Sequence, residues 1–457
     1  MRGALRDRLI KGLGAQGYGQ AVNILIQVVT VPLLIHAWGV TLYGEWLILS
    51  AIPVYLAMSD VGFTTAAQND MTIAVGKGDR DAVFETFQST WLLVLAVSLA
   101  VIAAVTVAVT TLPLDIWLNL ANMSGAGVGW VLALLSLRVA VGLQAGLIYC
   151  GFHYRGSYGL GQSLLASMRL VELLFLAIVI IFGGDPVAAA SALLAGCAVG
   201  AIAMRVILRR VDPDIEFGWQ HARLATVKRL APPALAFTAF PLGHALNVQG
   251  VVIVIGAVLG PAAVAVFATL RTLTRFGIQL VGSVNRIVQA EIAIAFGAGD
   301  TDLLRKLHHY ACQAALWLSI AVAIGLAVFG AWIVRVWTDG AIEMQHGLFY
   351  LLLAVVIVNG LWHASLMLVY ATNRHQRAAL VYVGASVIAV AGAYWGALYL
   401  GLMGVAGVLL AADVAIAAYV CRSSLSLLNE SAGQFARTLA TAPLFVLRGL
   451  RRGRVRP

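Results

Sequence analysis

What limits this chain most is its succession of apolar segments, each about 20 to 30 residues long and parted by short charged or turn-rich breaks. A helix of that length crosses the hydrocarbon core of a bilayer. Backbone N–H and C=O groups find no water there, so a spanning segment must be a helix or a strand of a closed barrel. Barrel strands need only about 9–11 residues, and these runs are far longer. Composition points the same way. Of the 457 residues 61% are hydrophobic and 11% charged, and mean hydropathy is +0.91, whereas soluble domains carry about 25% charged residues. The expectation is an all-α polytopic membrane protein.

The breaks mark spans at 12–37, 42–67, 83–112, 127–150, 158–182 and 186–208, then at 230–257, 262–290, 308–334, 346–370, 378–400 and 402–421. A basic, proline-containing linker, LRRVDPDIEFGWQHARLATVKR, separates the two sets. This gives an N-lobe over 1–208, a linker over 209–229, a C-lobe over 230–421 and a basic tail over 422–457. No cleavage site follows the basic start MRGALRDRLIKGLG, so the first apolar segment is expected to stay as a span. The tail mixes Leu and Phe with an arginine-rich end. It fits a segment lying on the membrane face and a disordered extension equally well.

Lysine and arginine are retained on the cytoplasmic side. With the N-terminus inside, Arg335 alone falls outside, Arg138, Arg169, Arg271, Arg275 and Arg286 fall within spans, and the remaining basic residues gather inside. Both termini are therefore expected in the cytoplasm, and the net charge of +10 reflects topology and attraction to the membrane surface rather than nucleic-acid binding.

The two halves share a motif. Residues 68–81 read QNDMTIAVGKGDRD and residues 289–302 read QAEIAIAFGAGDTD. The same shift carries Gly39 to Gly260 and Tyr149 to Tyr370. An even number of spans separates the copies, so the repeat is expected to be parallel, about an axis along the membrane normal, with a substrate site between the halves.

WGVTLYGEWLILSAIPVYLAMSDVGF at 38–63, with Gly39, Tyr43-Gly44, Asp60 and Gly62, followed by the Gly-Asp loop, resembles the start of Wzx-type polysaccharide flippases. These belong to the MOP superfamily that also holds MATE exporters and MurJ lipid II flippases. The resemblance implies a bacterial inner-membrane carrier that exports undecaprenyl-diphosphate-linked oligosaccharide by alternating access, for O-antigen, capsule or exopolysaccharide synthesis. Membrane lipids and other polysaccharide-assembly proteins would be its partners. A MATE-type exporter characteristically carries an acid in its first span, which is missing here. A MurJ-type flippase typically has fourteen spans and a basic first span, also missing. A membrane-embedded glycosyl polymerase or ligase would need large outside loops, and these are short.

Charge within a span costs about 2.5–3.5 kcal/mol on insertion scales, so it usually faces a cavity or a partner. On span eight Arg271, Arg275, Arg286 and Gln279 fall within roughly 80° of one another at 3.6 residues per turn. Arginine suits phosphate because its planar fork donates two parallel hydrogen bonds and stays charged. Arg286, near the cytoplasmic end, is also placed to snorkel to headgroups. Arg138 stands alone on span four and is expected to face the cavity. Arg169 and Glu172, at i,i+3, could neutralise each other or bind substrate. Gln16, Gln20, Asn23, Gln27 and Thr30 make one polar stripe on span one, expected to line water between the lobes rather than bond helices. Asn359 and His363 form an i,i+4 pair suited to helix–helix bonding. Asp60, Glu172 and Asp413 are candidates for ion coupling.

Cys150, Cys197, Cys312 and Cys421 form no CxxC pair, so neither a zinc site nor a disulfide framework is expected. No nucleophile elbow, HExxH or Walker loop occurs. No metal, cofactor or catalytic activity is expected.

Overall fold

Glycine, aspartate and proline decide where the helices of this chain turn. The computed structural model describes residues 2–152, 157–371 and 375–441. It describes their side chains except at 2–13, 76, 236, 283–291, 293–294, 297, 371 and 375. Among these residues every regular element is helical.

In order they are α1 (Arg2–Leu56), α2 (Phe63–Lys77), α3 (Arg80–Thr111), α4 (Leu114–Trp117), α5 (Gly125–Gly151), α6 (Tyr158–Ile181) and α7 (Pro186–Val211). Then come α8 (Leu224–Ala245), a π turn (Leu246–Gly250), α9 (Val251–Leu259), α10 (Pro261–Gly297), α11 (Thr301–Trp337), α12 (His346–Ala371), α13 (His375–Leu428) and α14 (Ala432–Ala440).

Ten described helices are long and apolar enough to cross a membrane, two of them, Gly14–Leu56 and Gln376–Leu428, at double length. Each of the two bends at a glycine of positive φ, Gly39 (φ 75°) and Gly401 (φ 61°). Counting each as two crossings raises ten to twelve.

The repeated loop folds alike in its two copies. Gly78 has φ 74° and Gly299 φ 70°, a left-handed conformation that costs a side chain energy and glycine little. The N–H of Gly78 reaches Val75 O at 3.1 Å and that of Asp79 reaches Ala74 O at 3.0 Å. In the second copy Gly299 bonds Phe296 O and Asp300 bonds Ala295 O, both at 3.1 Å. This is the Schellman end of one helix. Asp79 then caps α3 by accepting from the Ala82 N–H at 3.0 Å, and Asp300 caps α11 from Leu303 at 2.9 Å. The Gly-Asp pair is thus a stop and a start in two residues. Gly39 and Gly260 match as well, with ψ 173° in both and φ 75° and 84°.

Three expected boundaries shift. The second span ends at Leu56, and its expected remainder, to 67, is a turn and the start of α2. The non-helical part of the linker is only 212–223, because α7 runs to Val211 and α8 begins at Leu224. The described part of the tail is helical, α13 continuing to Leu428 before α14, while residues 442–457 lie outside the described residues.

The chain forms two compact units, Met1–Ala265 and Val266–Pro457. In the first, α6 and α7 pack tightly because Gly196 and Gly200 carry no side chain. A Cβ at Gly196 would lie 2.7 Å from Glu172 Cα, and one at Gly200 2.2 Å from Met168 Cγ. The linker is strapped to α3. Gln88 Nε2 donates to Glu216 O at 3.3 Å, and Gln88 Oε1 accepts from the His221 N–H at 2.7 Å. Phe217 rests edge-on against Phe87 and Trp91. At the start of α8, Arg229 makes a two-pronged ion pair with Asp70 of α2 at 2.6 and 2.8 Å, supported by the Thr86 hydroxyl at 2.7 Å. Beside it Ala66, Ala67, Leu230 and Ala234 pack together. In the second unit α12 packs between α11 and α13, and α14 lies on α11.

Candidate functional site

Within the unit Met1–Ala265 a cavity of about 710 Å³ opens among α1, α5, α6 and α7. Its volume falls in the range typical of ligand pockets. Arg138, Arg169, Glu172, Asn23 and Thr30 line it, together with Trp46, Ser50 and Gln249.

Close α6–α7 packing sets Glu172 at the wall, with its side chain 5% exposed. Arg138 Nε donates to Glu172 Oε2 at 2.8 Å, and Nη2 donates to the same oxygen. Arg169 Nη1 donates to Asn23 Oδ1 at 2.9 Å. One expectation is corrected here: Glu172 pairs with Arg138 across α5 and α6 rather than with Arg169 one turn away, while Arg138, the one charged residue of α5, lines the cavity. The helices rotate Arg169 toward α1 and Glu172 toward α5. The Arg138–Glu172 pair is close to neutral, so the cavity's net positive charge comes from the exposed Arg169.

The polar stripe on α1 divides. Asn23 and Thr30 line the cavity, whereas Gln16, Gln20 and Gln27 are not among its lining residues, and Gln16 is exposed. Thr30 Oγ1 and Ser50 Oγ are buried without a protein hydrogen-bond partner, which leaves both hydroxyls for water or a ligand.

Asp60 has a local occupation. Its Oδ1 and Oδ2 accept from the Gly62 and Thr64 N–H groups, each at 3.2 Å, closing the turn into α2 where Val61 and Gly62 have positive φ. Glu45, an acid within the second span that sequence reasoning passed over, is fully buried. Its Oε1 accepts from the N–H groups of Ala121 and Asn122 and from Asn122 Nδ2, at 2.9, 2.8 and 2.8 Å. That pins the loop after α4.

The unit Val266–Pro457 carries a second polar group. Asp413 on α13, 6% exposed, accepts through Oδ1 from Trp362 Nε1 at 2.8 Å and Asn359 Nδ2 at 3.2 Å. Asn359 thereby bonds α12 to α13, and the His363 ring lies 3.9 Å from that of Trp362. Arg271 stands over the Phe267 ring at 5.5 Å, within electrostatic reach of Arg275, Asp413 and Tyr382. Two arginines and one carboxylate leave this cluster net positive. Gln279 is partly buried two turns beyond Arg271 on α10. The Arg286 side chain lies outside those described. Among the described residues no three His, Cys, Asp or Glu side chains gather as a metal site.

No protein-family model matches the sequence, and no curated protein matches it. Solved structures do. A multidrug resistance MATE family transporter of the MOP superfamily, in an inward-facing conformation, superposes with a TM-score of 0.74 at 14% identity, covering 88% of this chain and 98% of that one. The lipid II flippase MurJ, in an inward closed conformation, gives 0.74 at 12% identity, covering 98% and 94%. A MOP superfamily transporter from Pyrococcus furiosus, reported with reverse polarity of its binding pocket, gives 0.61 at 14% identity over 93% and 96%. This chain therefore has the all-helical membrane fold of the MATE and MurJ transporters, with about twelve spans.

Proposed function

We propose that this chain is a flippase that carries a glycan linked to undecaprenyl diphosphate from the cytoplasmic to the periplasmic leaflet of a bacterial inner membrane by alternating access. The observation that supports it is the surplus of arginine over carboxylate in both units: Arg138 and Arg169 against Glu172 in the first, Arg271 and Arg275 against Asp413 in the second. Cations held in low-dielectric walls replace the hydration that a diphosphate gives up on leaving water. A cationic drug would meet repulsion in the same place. The likeness to a lipid II flippase fold supports a lipid-linked cargo, and the chain acts as a carrier rather than a catalyst.

In this reading residues 1–208 and 230–421 form the two lobes, 209–229 the cytoplasmic linker, Arg138 and the Arg271–Arg275 pair meet the diphosphate, and both termini are cytoplasmic. Moving one charge through 100 mV is worth about 2.3 kcal/mol. A cytoplasm-negative potential therefore drives the anion outward. Complementation of a flippase-deficient strain with a defined repeat unit tests the proposal: restored surface glycan supports it, and none restored from a well-expressed protein opposes it.

A cation-coupled small-molecule exporter is the second reading. The buried Asp413 carboxylate favours it, since a carboxylate inside a span is a common site of proton or cation exchange. A MurJ-like carrier of lipid II differs only in cargo, and the same complementation with a lipid II flippase-deficient strain separates it.

A further inference from the structure

A cavity of about 760 Å³ lies wholly within the unit Val266–Pro457. Its body is apolar, walled by Leu316 of α11, Leu361 of α12, Ala417 and Cys421 of α13, and roofed by Phe435 and Leu439 of α14. Its polar side chains, Arg422, Ser426 and Glu430, come from the last turns of α13 and the link to α14.

The roof is built in place. Gln313 Nε2 of α11 donates to Thr438 O at 2.6 Å, and Trp317 Nε1 donates to Leu439 O at 3.2 Å. The Phe435 ring stacks on His308 at 5.4 Å with 19° between planes. These contacts fix α14 on α11, with Phe435 packed against Cys312 and Leu425, and leave an apolar groove beside it. The space is an open groove, and its apolar walls offer water few of the two to four polar partners it needs.

We infer that this cavity holds the hydrocarbon chain of a bilayer phospholipid whose phosphate is bound by Arg422. The cavity is apolar along its length and carries an exposed guanidinium, that of Arg422, at one end, which suits an anionic amphiphile. Arg422 is exposed, with no ion pair among the described residues. The neighbouring Glu430 turns to His309 instead of Arg422, both of its carboxylate oxygens lying 2.8 Å from His309 Nε2. Arg422 stands two turns before the end of α13, ahead of the link to α14. A single guanidinium there matches the single charge of a phosphodiester.

Cys421 lines the cavity, so a bound chain shields its thiol in the unaltered protein. The full-length chain is purified in detergent, stripped of lipid, and supplied with phosphatidylglycerol, phosphatidylcholine or undecaprenyl phosphate. Alkylation of Cys421 by N-ethylmaleimide is then followed by peptide mass spectrometry, and retained lipid by native mass spectrometry. Phosphatidylglycerol should be retained at one per chain and slow alkylation by about tenfold or more. Phosphatidylcholine should do so less. Arg422→Ala should reduce the phosphatidylglycerol effect to that of phosphatidylcholine, and Ala417→Trp should remove retained lipid. Protection by undecaprenyl phosphate but not by phosphatidylglycerol would assign the cavity to the cargo's tail and overturn the inference, as would equal alkylation in all lipids. The unaltered chain carries this comparison even if Ala417→Trp fails to fold. Glycan export is not a readout, so failure here leaves the flippase proposal standing.

Discussion

Arg138 of α5 and Glu172 of α6, 34 residues apart, share one ion pair at the wall of the cavity in the first unit. The carboxylate is almost fully covered, while the arginine side chain is 34% exposed. Arg138 thus has a structural partner as well as a proposed ligand. Arg138→Ala strands a buried charge. Loss of one member of a buried pair costs about 3–5 kcal/mol, reduced here to roughly 1–3 by solvent at Arg138. The double variant Arg138→Ala/Glu172→Gln should be more stable than Arg138→Ala alone, by thermal unfolding in detergent. Equal stability of the two would show that the pair does not hold α5 to α6.

The matched turns give a second expectation. Gly78→Ala and Gly299→Ala each force a side chain into left-handed backbone, at about 1–2 kcal/mol. Asp79→Ala and Asp300→Ala each remove a helix cap, at about 0.5–2 kcal/mol. The two copies should respond alike in melting temperature. A loss confined to one copy would mean that the shared motif does different work in the two halves.

Asp70 and Arg229 predict a pH dependence. The Arg229 guanidinium, bonded to both carboxylate oxygens, holds Asp70 below its ordinary value of 3.8, and Arg229 is raised in return by the same contact. A carboxylate with a depressed folded-state pKa adds stability that is present above its unfolded value and lost as pH falls through the folded value. The melting-temperature gap between the natural chain and Asp70→Asn should therefore be constant from neutral pH down to about pH 5 and shrink below about pH 4. A gap unchanged down to pH 3 would rule out the ion pair as its source.

Sequence showed most where structure is local. The Gly-Asp loops, the Gly39 bend and the run of spans rest on positive φ, capping and hydropathy, each written within a few residues. Partners across helices were not legible. Arg169 and Glu172 looked like a pair at i,i+3, yet α6 is rotated so that they face different neighbours, Asn23 and Arg138, and that rotation rests on packing against α1 and α7, which no local pattern in the sequence records. Asp60 read as an intramembrane charge because the apolar run hid the turn at 57–62. Glu45 carried a readable signal, an acid inside a span, that was missed among its apolar neighbours.

Asp413 tests the second reading of function. Asp413→Asn keeps an oxygen for Trp362 and Asn359 but removes the charge. Asp413→Leu removes both, leaving two buried donors unsatisfied at about 1–3 kcal/mol each. The Asn variant should fold with near-natural melting temperature and the Leu variant should not. If Asp413 exchanges a cation, transport by the Asn variant in liposomes should lose its response to an imposed proton or sodium gradient. An unchanged response removes Asp413 from coupling.

The arginines of α10 separate an anion carrier from its rivals. Arg271 is braced by the Phe267 ring and lies within reach of both Arg275 and Asp413. One carboxylate cannot neutralise two guanidinium groups, so the cluster is net positive. If that charge replaces the hydration of a diphosphate, Arg271→Ala or Arg275→Ala should abolish or sharply reduce glycan export while membrane insertion and folding persist. Lysine keeps the charge and loses the two-pronged fork, so Arg→Lys at either position should restore export in part. Export is measured as surface glycan in a flippase-deficient strain, normalised to protein in the membrane. Alanine variants that export normally would sink the anion-carrier reading. Lysine no better than alanine would shift the requirement from charge to the shape of the guanidinium and its stacking on Phe267.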